Sequence, residues 1–130
     1  TPAATVAATY GQAEAAATTW QTFTITDSDT SGTYTCTVAG DDSGDFSSSI
    51  SGKVCTIVWA ANPNFESPTD DDTDNVYDIT IAFTDGTNTL SAQTTAITIT
   101  DANDQTPAAT VAATYSQAEA AATTFQAFTM

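Results

Sequence analysis

Apolar and polar residues alternate with period two through several short stretches of the chain. Thr22 to Thr26 reads TFTIT, and Ala96 to Asp101 reads AITITD. Such alternation puts one face of a pleated strand toward a core and the other toward water. Strands are expected near Ala4 to Thr9, Trp20 to Thr26, Thr33 to Val38, Phe46 to Ser49, Val54 to Trp59, Val76 to Thr84 and Ser91 to Thr100. Turn formers separate them: Asp27-Ser28-Asp29, Ala39-Gly40-Asp41-Asp42, Ser51-Gly52 and Asp85-Gly86-Thr87-Asn88. The Ala13 to Ala17 stretch has helix propensity but is too short to hold a helix alone. The pattern predicts an all-β, seven-stranded antiparallel Greek-key sandwich of the immunoglobulin-like kind. Its core is expected to draw on Trp20, Phe23 or Ile25, Cys36, Ile57, Tyr77, Ile79 and Ile97.

Repetition sets the domain organisation. Residues 1 to 25 recur as residues 106 to 130, 105 positions on, with changes only at Gly11/Ser116, Trp20/Phe125, Thr22/Ala127 and Ile25/Met130. Those substitutions largely keep size and polarity class, as in two diverged copies of one domain. Residues 1–105 therefore read as one complete repeat and residues 106–130 as the first strands of the next. The chain is expected to be an interior piece of a tandem array.

Composition narrows the chemistry. Thr (29) and Ala (24) fill much of the 130-residue chain, and 16 Asp and Glu face a single Lys, with no Arg or His, for a net charge of −15. One cation cannot neutralise a phosphate backbone, so nucleic-acid binding is excluded, and anionic lipid would repel the chain. No apolar run reaches the roughly 18 residues needed to cross a bilayer, and no membrane insertion is expected. Without imidazole, most general-base and imidazole-metal chemistry is missing, and the chain is not expected to be an enzyme. Cys36 shares a strand face with Tyr34 and Val38, and Cys55 with Ile57 and Trp59. Both thiols should point inward, either bridged in an oxidising extracellular setting or packed as small buried hydrophobes.

The carboxylates gather at strand ends: Glu14, Asp27 with Asp29, Glu66, Asp85, and the Asp101-Ala102-Asn103-Asp104 group at the repeat boundary. Here the chain resembles a known family. DANDQTP looks like the linker between consecutive cadherin repeats, and ANPNFESPTDDDTDNVYDITI followed by TDG is similar to the later half of bacterial cadherin-like repeats of surface adhesins and fibres. The resemblance spans the 105-residue period and implies Ca²⁺ held between successive domains. Carried over, Glu14, Glu66, Asn103, Asp104 and the carbonyls of Ala102 and Gln105 serve the boundary after this domain. Asp27, Asp29 and Asp85 serve the one before it, and Glu119 belongs to a further site. Two positions depart from the family pattern: Asn64 replaces the leading Asp of the Asp-Arg-Glu motif, and Gln105 the last Asn of the linker.

The run Asp70-Asp71-Asp72-Thr73-Asp74-Asn75 resembles the first half of an EF-hand loop, but Asn75 stands where Gly is required and Ile81 where the bidentate Glu belongs. A solvated loop is the expected reading, with a weak local cation site as the alternative. The function expected is a structural or adhesive extracellular repeat that forms a Ca²⁺-stiffened rod or filament with copies of itself. Two alternatives are a carbohydrate-binding module stacking sugars on Trp20, Trp59 and Tyr77, and a subunit that donates the strand from Thr106 onward to a neighbour.

Overall fold

A computed structural model of the chain describes residues 1–15, 18–29, 31–109, 111 and 114. Most of the second copy, with Glu119 and nearly all of the donated-strand segment, lies outside the described residues.

Seven strands run in the order β1 (Thr9–Ala13), β2 (Thr19–Thr24), β3 (Thr35–Ala39), β4 (Phe46–Ser51), β5 (Val54–Trp59), β6 (Val76–Thr84) and β7 (Gln93–Thr100). One sheet has the order β1-β7-β6-β3 and the other β2-β5-β4. The chain changes sheet at each step from β1 to β4 and again between β5 and β6, while β4–β5 and β6–β7 are antiparallel neighbours within one sheet, the connectivity of a Greek-key sandwich. The alternation that marked the strands also fills the core. Tyr77, Ile79, Ile81 and Phe83 on β6 face Cys55, Ile57 and Trp59 on β5, and Ile97 and Ile99 on β7 complete the layer. Cys36 on β3 and Cys55 on β5 are bridged, with Cα atoms 6.0 Å apart, so the disulfide ties the two sheets together.

The first strand departs from the sequence expectation. Ala3 bridges Thr26 next to the β2 sheet, the chain then crosses over, and β1 pairs in parallel with β7, Tyr10 opposite Ile97. The Ala4 to Thr9 stretch is therefore mostly the crossover, and one ladder of the sandwich is parallel while the rest are antiparallel. The crossover looks like a strand because Thr5, Val6 and Thr9 are β-branched and suit a half-exposed extended chain.

Trp20 is the second departure. A register shift between Thr19 and Gln21 leaves it as an extra residue against β5. Such a bulge re-aims its side chain. Trp20 is half-buried, and its ring meets Tyr10 edge-on at 5.1 Å. Both Phe23 and Ile25 are buried, and the remaining expected core residues lie inside.

Candidate metal centres at the two ends of the sandwich

β6 is nine residues long, or about 30 Å at a rise of about 3.3 Å per residue. Acidic residues collect beyond each of its ends. Before its start lie Glu14, Glu66 and Asp101, whose carboxylate oxygens come within 4.8 Å of one another. After its end, Asp27, Asp29 and Asp85 do the same.

The first cluster is organised around Glu14. The turn after β1 places Ala15 at φ 49° and folds Glu14 inward until it is 4% exposed. Its Oε1 accepts the Ala102 N–H at 2.9 Å, and its Oε2 accepts the Phe65 N–H at 2.8 Å. Those two amides belong to the segments that carry Asp101 and Glu66, so one buried carboxylate gathers both neighbours. Glu66 and Asp101 are exposed and leave the cluster open to solvent on one side.

The linker residues follow directly on β7. Asp101, which sequence comparison left without a role, joins Glu14 and Glu66, and its Oδ1 accepts the Asn103 N–H at 2.8 Å. Asn103 takes a left-handed conformation at φ 47°. Asn103, Asp104 and Gln105 are exposed, and the Gln105 amide donates to Asp104 at 3.3 Å. Ala102 contributes its N–H to Glu14. Asn64 Oδ1 accepts the Ser67 N–H at 3.0 Å, so it closes a local turn. The sequence places Asp101 directly after the last strand, but that β1 ends beside β7 there, bringing Glu14 close, is visible only in the pairing.

The second cluster is shaped by two Asx-type turns, one at Asp85 and one in which Asp27 Oδ1 accepts the Asp29 N–H at 3.3 Å. Asp85 is 6% exposed, and its Oδ1 accepts the Thr87 and Asn88 N–H groups at 2.8 and 2.6 Å while its Oδ2 accepts the Asn88 side-chain amide at 3.0 Å. The Asn88 side chain first, and then the backbone donors of Asn88 and Thr87, stabilise the ionised form and lower the carboxyl from 3.8 to about 2. Gly32 packs against this loop so closely that a Cβ there would come within 2.9 Å of the Asp85 carbonyl. The Asp27 side chain is fully buried. The Tyr34 hydroxyl donates to its Oδ2 at 3.4 Å. Lys53 Nζ donates to the carbonyls of Asp27 and Asp29 at 2.8 and 3.0 Å, so the one basic side chain of the protein braces this end.

A third group, Asp70, Asp72 and Asp74, occupies the loop between β5 and β6. The Asp72 carboxyl is held above its ordinary value, first by desolvation and then by the charges of Asp74 and Asp70. Asp42, read from the sequence as a turn former, is buried against this loop and accepts the N–H groups of Asp71 at 2.7 Å and Asp78 at 2.6 Å.

Every side-chain donor in these groups is a carboxylate oxygen, which suits a hard cation such as Ca²⁺. Of the three aromatics considered for sugar stacking, Trp20 is half-buried and the other two lie inside. Trp59 is 4% and Tyr77 1% exposed, and Trp59 packs against Phe46 at 4.2 Å and Tyr77 at 4.9 Å.

No family model matches the chain. No curated protein matches it either. Among solved structures, the chain is similar to one described as the protocadherin gammaB7 EC3-6 cis-dimer, with a TM-score of 0.55 and 21% identity over 80% of this chain. The match spans 25% of that solved chain. The likeness establishes the fold: this chain forms a cadherin-like β-sandwich.

Proposed function

We propose that the chain is a structural or adhesive extracellular repeat that forms a rod or filament with copies of itself, stiffened by Ca²⁺ at each boundary. The observation that carries this reading is the placement of two three-carboxylate clusters at opposite ends of β6. In a head-to-tail array, Glu14, Glu66 and Asp101 of one repeat face Asp27, Asp29 and Asp85 of the next. Asn103 and Asp104 lie in the segment between them. Residues 1–105 are the repeating unit in this reading, and residues 106–130 open its successor.

Charge supports the same reading. One unit carries 15 carboxylates and Lys53 alone, a net charge of −14. Apposing two acidic ends without a counter-ion raises carboxyl pKa values and drives the ends apart, whereas shared Ca²⁺ removes that repulsion. The disulfide between the sheets fits an oxidising extracellular compartment.

The test is a protein of two complete repeats, examined by small-angle scattering and thermal melting in Ca²⁺ and in chelator. An extended, rigid profile in Ca²⁺ that becomes flexible in chelator is expected. Asp104→Ala should lower the melting temperature in Ca²⁺ and leave it nearly unchanged in chelator. Equal losses in both conditions, or a parent indifferent to Ca²⁺, would leave a plain sandwich array.

A further inference from the structure

The loop between β5 and β6 contains a buried carboxylate that its own fold does not satisfy. Asp70 is 2% exposed. Its Oδ2 accepts the Asp74 N–H at 2.7 Å, and its Oδ1 has no hydrogen-bond partner. Burial of an ionised oxygen without a donor is strongly unfavourable. The neighbouring Asp42 shows that the fold can do otherwise, since both of its oxygens are filled by backbone N–H groups. Asn75 Oδ1, in the same loop, is a second buried oxygen without a partner.

The groups around Asp70 add negative charge and supply nothing to offset it. Carboxylate oxygens of Asp72 and Asp74 lie within 4.8 Å of the Asp70 carboxylate and of each other. Beside Asp72, a small surface recess is lined by Asp41, Asp42, Asp71 and Asp78. Lys53 is engaged at the Asp27 and Asp29 carbonyls, beyond the other end of β6.

We propose that Asp70, Asp72 and Asp74 bind a hard divalent cation of the Ca²⁺ class inside the domain, separate from both end clusters. A spacing of up to 4.8 Å between ligand oxygens is about twice a Ca²⁺–oxygen distance of roughly 2.3 to 2.6 Å, so one ion reaches all three carboxylates. Water and backbone carbonyls complete a shell of about six to eight oxygens. The site is not an EF-hand, because Ile81 stands where that loop has its bidentate Glu. Its affinity therefore belongs in the weaker range of extracellular modules, about 10⁻⁴ to 10⁻³ M. Binding would fix the loop whose Asn75 amide holds the Phe65 carbonyl at 3.0 Å, next to Glu66. The proposal does not depend on the boundary reading.

The test is two-dimensional amide NMR of the whole 130-residue chain during titration with CaCl₂. Saturable shifts of the Thr73, Asp74 and Val76 amides are expected, with a midpoint between about 0.1 and 1 mM. They should persist in Glu66→Gln/Asp29→Asn, which removes one exposed ligand from each end cluster. Asp72→Asn/Asp74→Asn should raise the midpoint at least about tenfold, because affinity follows ligand charge count. Both side chains are exposed, and spectral dispersion reports whether the fold survives; Asp72→Asn alone is the milder variant, with a shift in the same direction. The proposal is overturned by loop amides that do not saturate, by equal shifts with NaCl at matched ionic strength, or by an unchanged midpoint in the Asp72 variants. Shifts confined to residues 101–104 would support the boundary reading and still overturn this one.

Discussion

Glu14→Gln separates the structural work of the first cluster from its cation chemistry. The substitution keeps shape but replaces one carboxylate oxygen by an NH₂ group, which must face the N–H of either Phe65 or Ala102. One charge-assisted hydrogen bond of about 1.5 to 3 kcal/mol is lost, and a buried donor is stranded. The relief of no longer burying a charge offsets part of that, for a net loss of about 2 to 4 kcal/mol without metal. In a domain of this size each kcal/mol moves the melting temperature by about 4 to 8 °C, so a fall of at least about 8 °C is expected in chelator. If Glu14 is also a ligand, Ca²⁺ must widen the gap. At a concentration one hundred times Kd, bound Ca²⁺ stabilises by about 2.7 kcal/mol, and a Kd near 10⁻⁴ M puts that condition at about 10 mM. The parent two-repeat protein should gain most of that increment and the variant little of it. Thermal melts of both proteins in Ca²⁺ and in chelator give the four numbers needed. Equal losses in the two conditions would refute a ligand role. A loss below about 0.5 kcal/mol in chelator would refute the argument that Glu14 gathers its neighbours.

Replacing Cys36 and Cys55 together by Ala should cost roughly 3 kcal/mol, because their separation of 19 residues closes a loop of that entropic worth; chemical denaturation of the two proteins, with Ellman titration of the denatured parent for free thiols, measures it. Asp85 should contribute to acid stability with a definite sign. Its carboxyl is lowered from 3.8 to about 2 in the fold, so its contribution is complete above the ordinary carboxylate range and is lost as pH falls through about 2. Asp85→Asn should therefore flatten the stability profile between about pH 4 and 2 in metal-free buffer, and an unchanged acid limb would contradict the hydrogen-bond geometry. Ile81→Val, at a fully buried position, should cost about 0.5 to 1.5 kcal/mol in the same denaturation assay.

The strands from β2 onward were legible because each buries one face. On β5 and β6, alternating Cys, Ile, Trp, Tyr and Phe leave a register that can sit only one way. Their bounds, Val54–Trp59 and Val76–Thr84, were readable residue by residue. β1 was not, because its one large apolar side chain is Tyr10 and its partner is β7, more than 80 positions away. Nothing local in TYGQA distinguishes a parallel pairing from a loop. The bulge at Trp20 was equally hidden, since an extra residue in one strand shows only against the strand it faces. At the sites, residue type and spacing brought Glu14, Glu66, Asp27, Asp29 and Asp85 forward, but hydrogen bonding could not be read from either. The two amides on Glu14, the satisfied carboxylate of Asp42 and the bare oxygen of Asp70 all depend on backbone donors contributed by distant loops.

The charges of this domain are confined to its ends and to one corner, and the strand faces between are nearly neutral. Exposed strand positions are mostly Thr and Ser, among them Thr19, Thr22, Thr24, Thr35, Thr37, Ser47, Ser49, Ser51, Thr94, Thr98 and Thr100, with Ile50 and Val54 the large apolar ones and Asp78 the acidic exception. Thr suits a pleated surface exposed to water and adds no field of its own. Side-to-side approach of two such domains therefore meets little electrostatic resistance, while end-to-end approach brings carboxylate clusters together. Monovalent salt shortens the reach of that repulsion to a Debye length of about 8 Å at physiological strength. Within each end cluster the carboxylate oxygens come within 4.8 Å of one another, closer than this, where screening is weakest and direct coordination is strongest. In the proposed array, cation concentration thus acts on the longitudinal joint and leaves the lateral faces untouched, as a filament that stiffens along its axis requires.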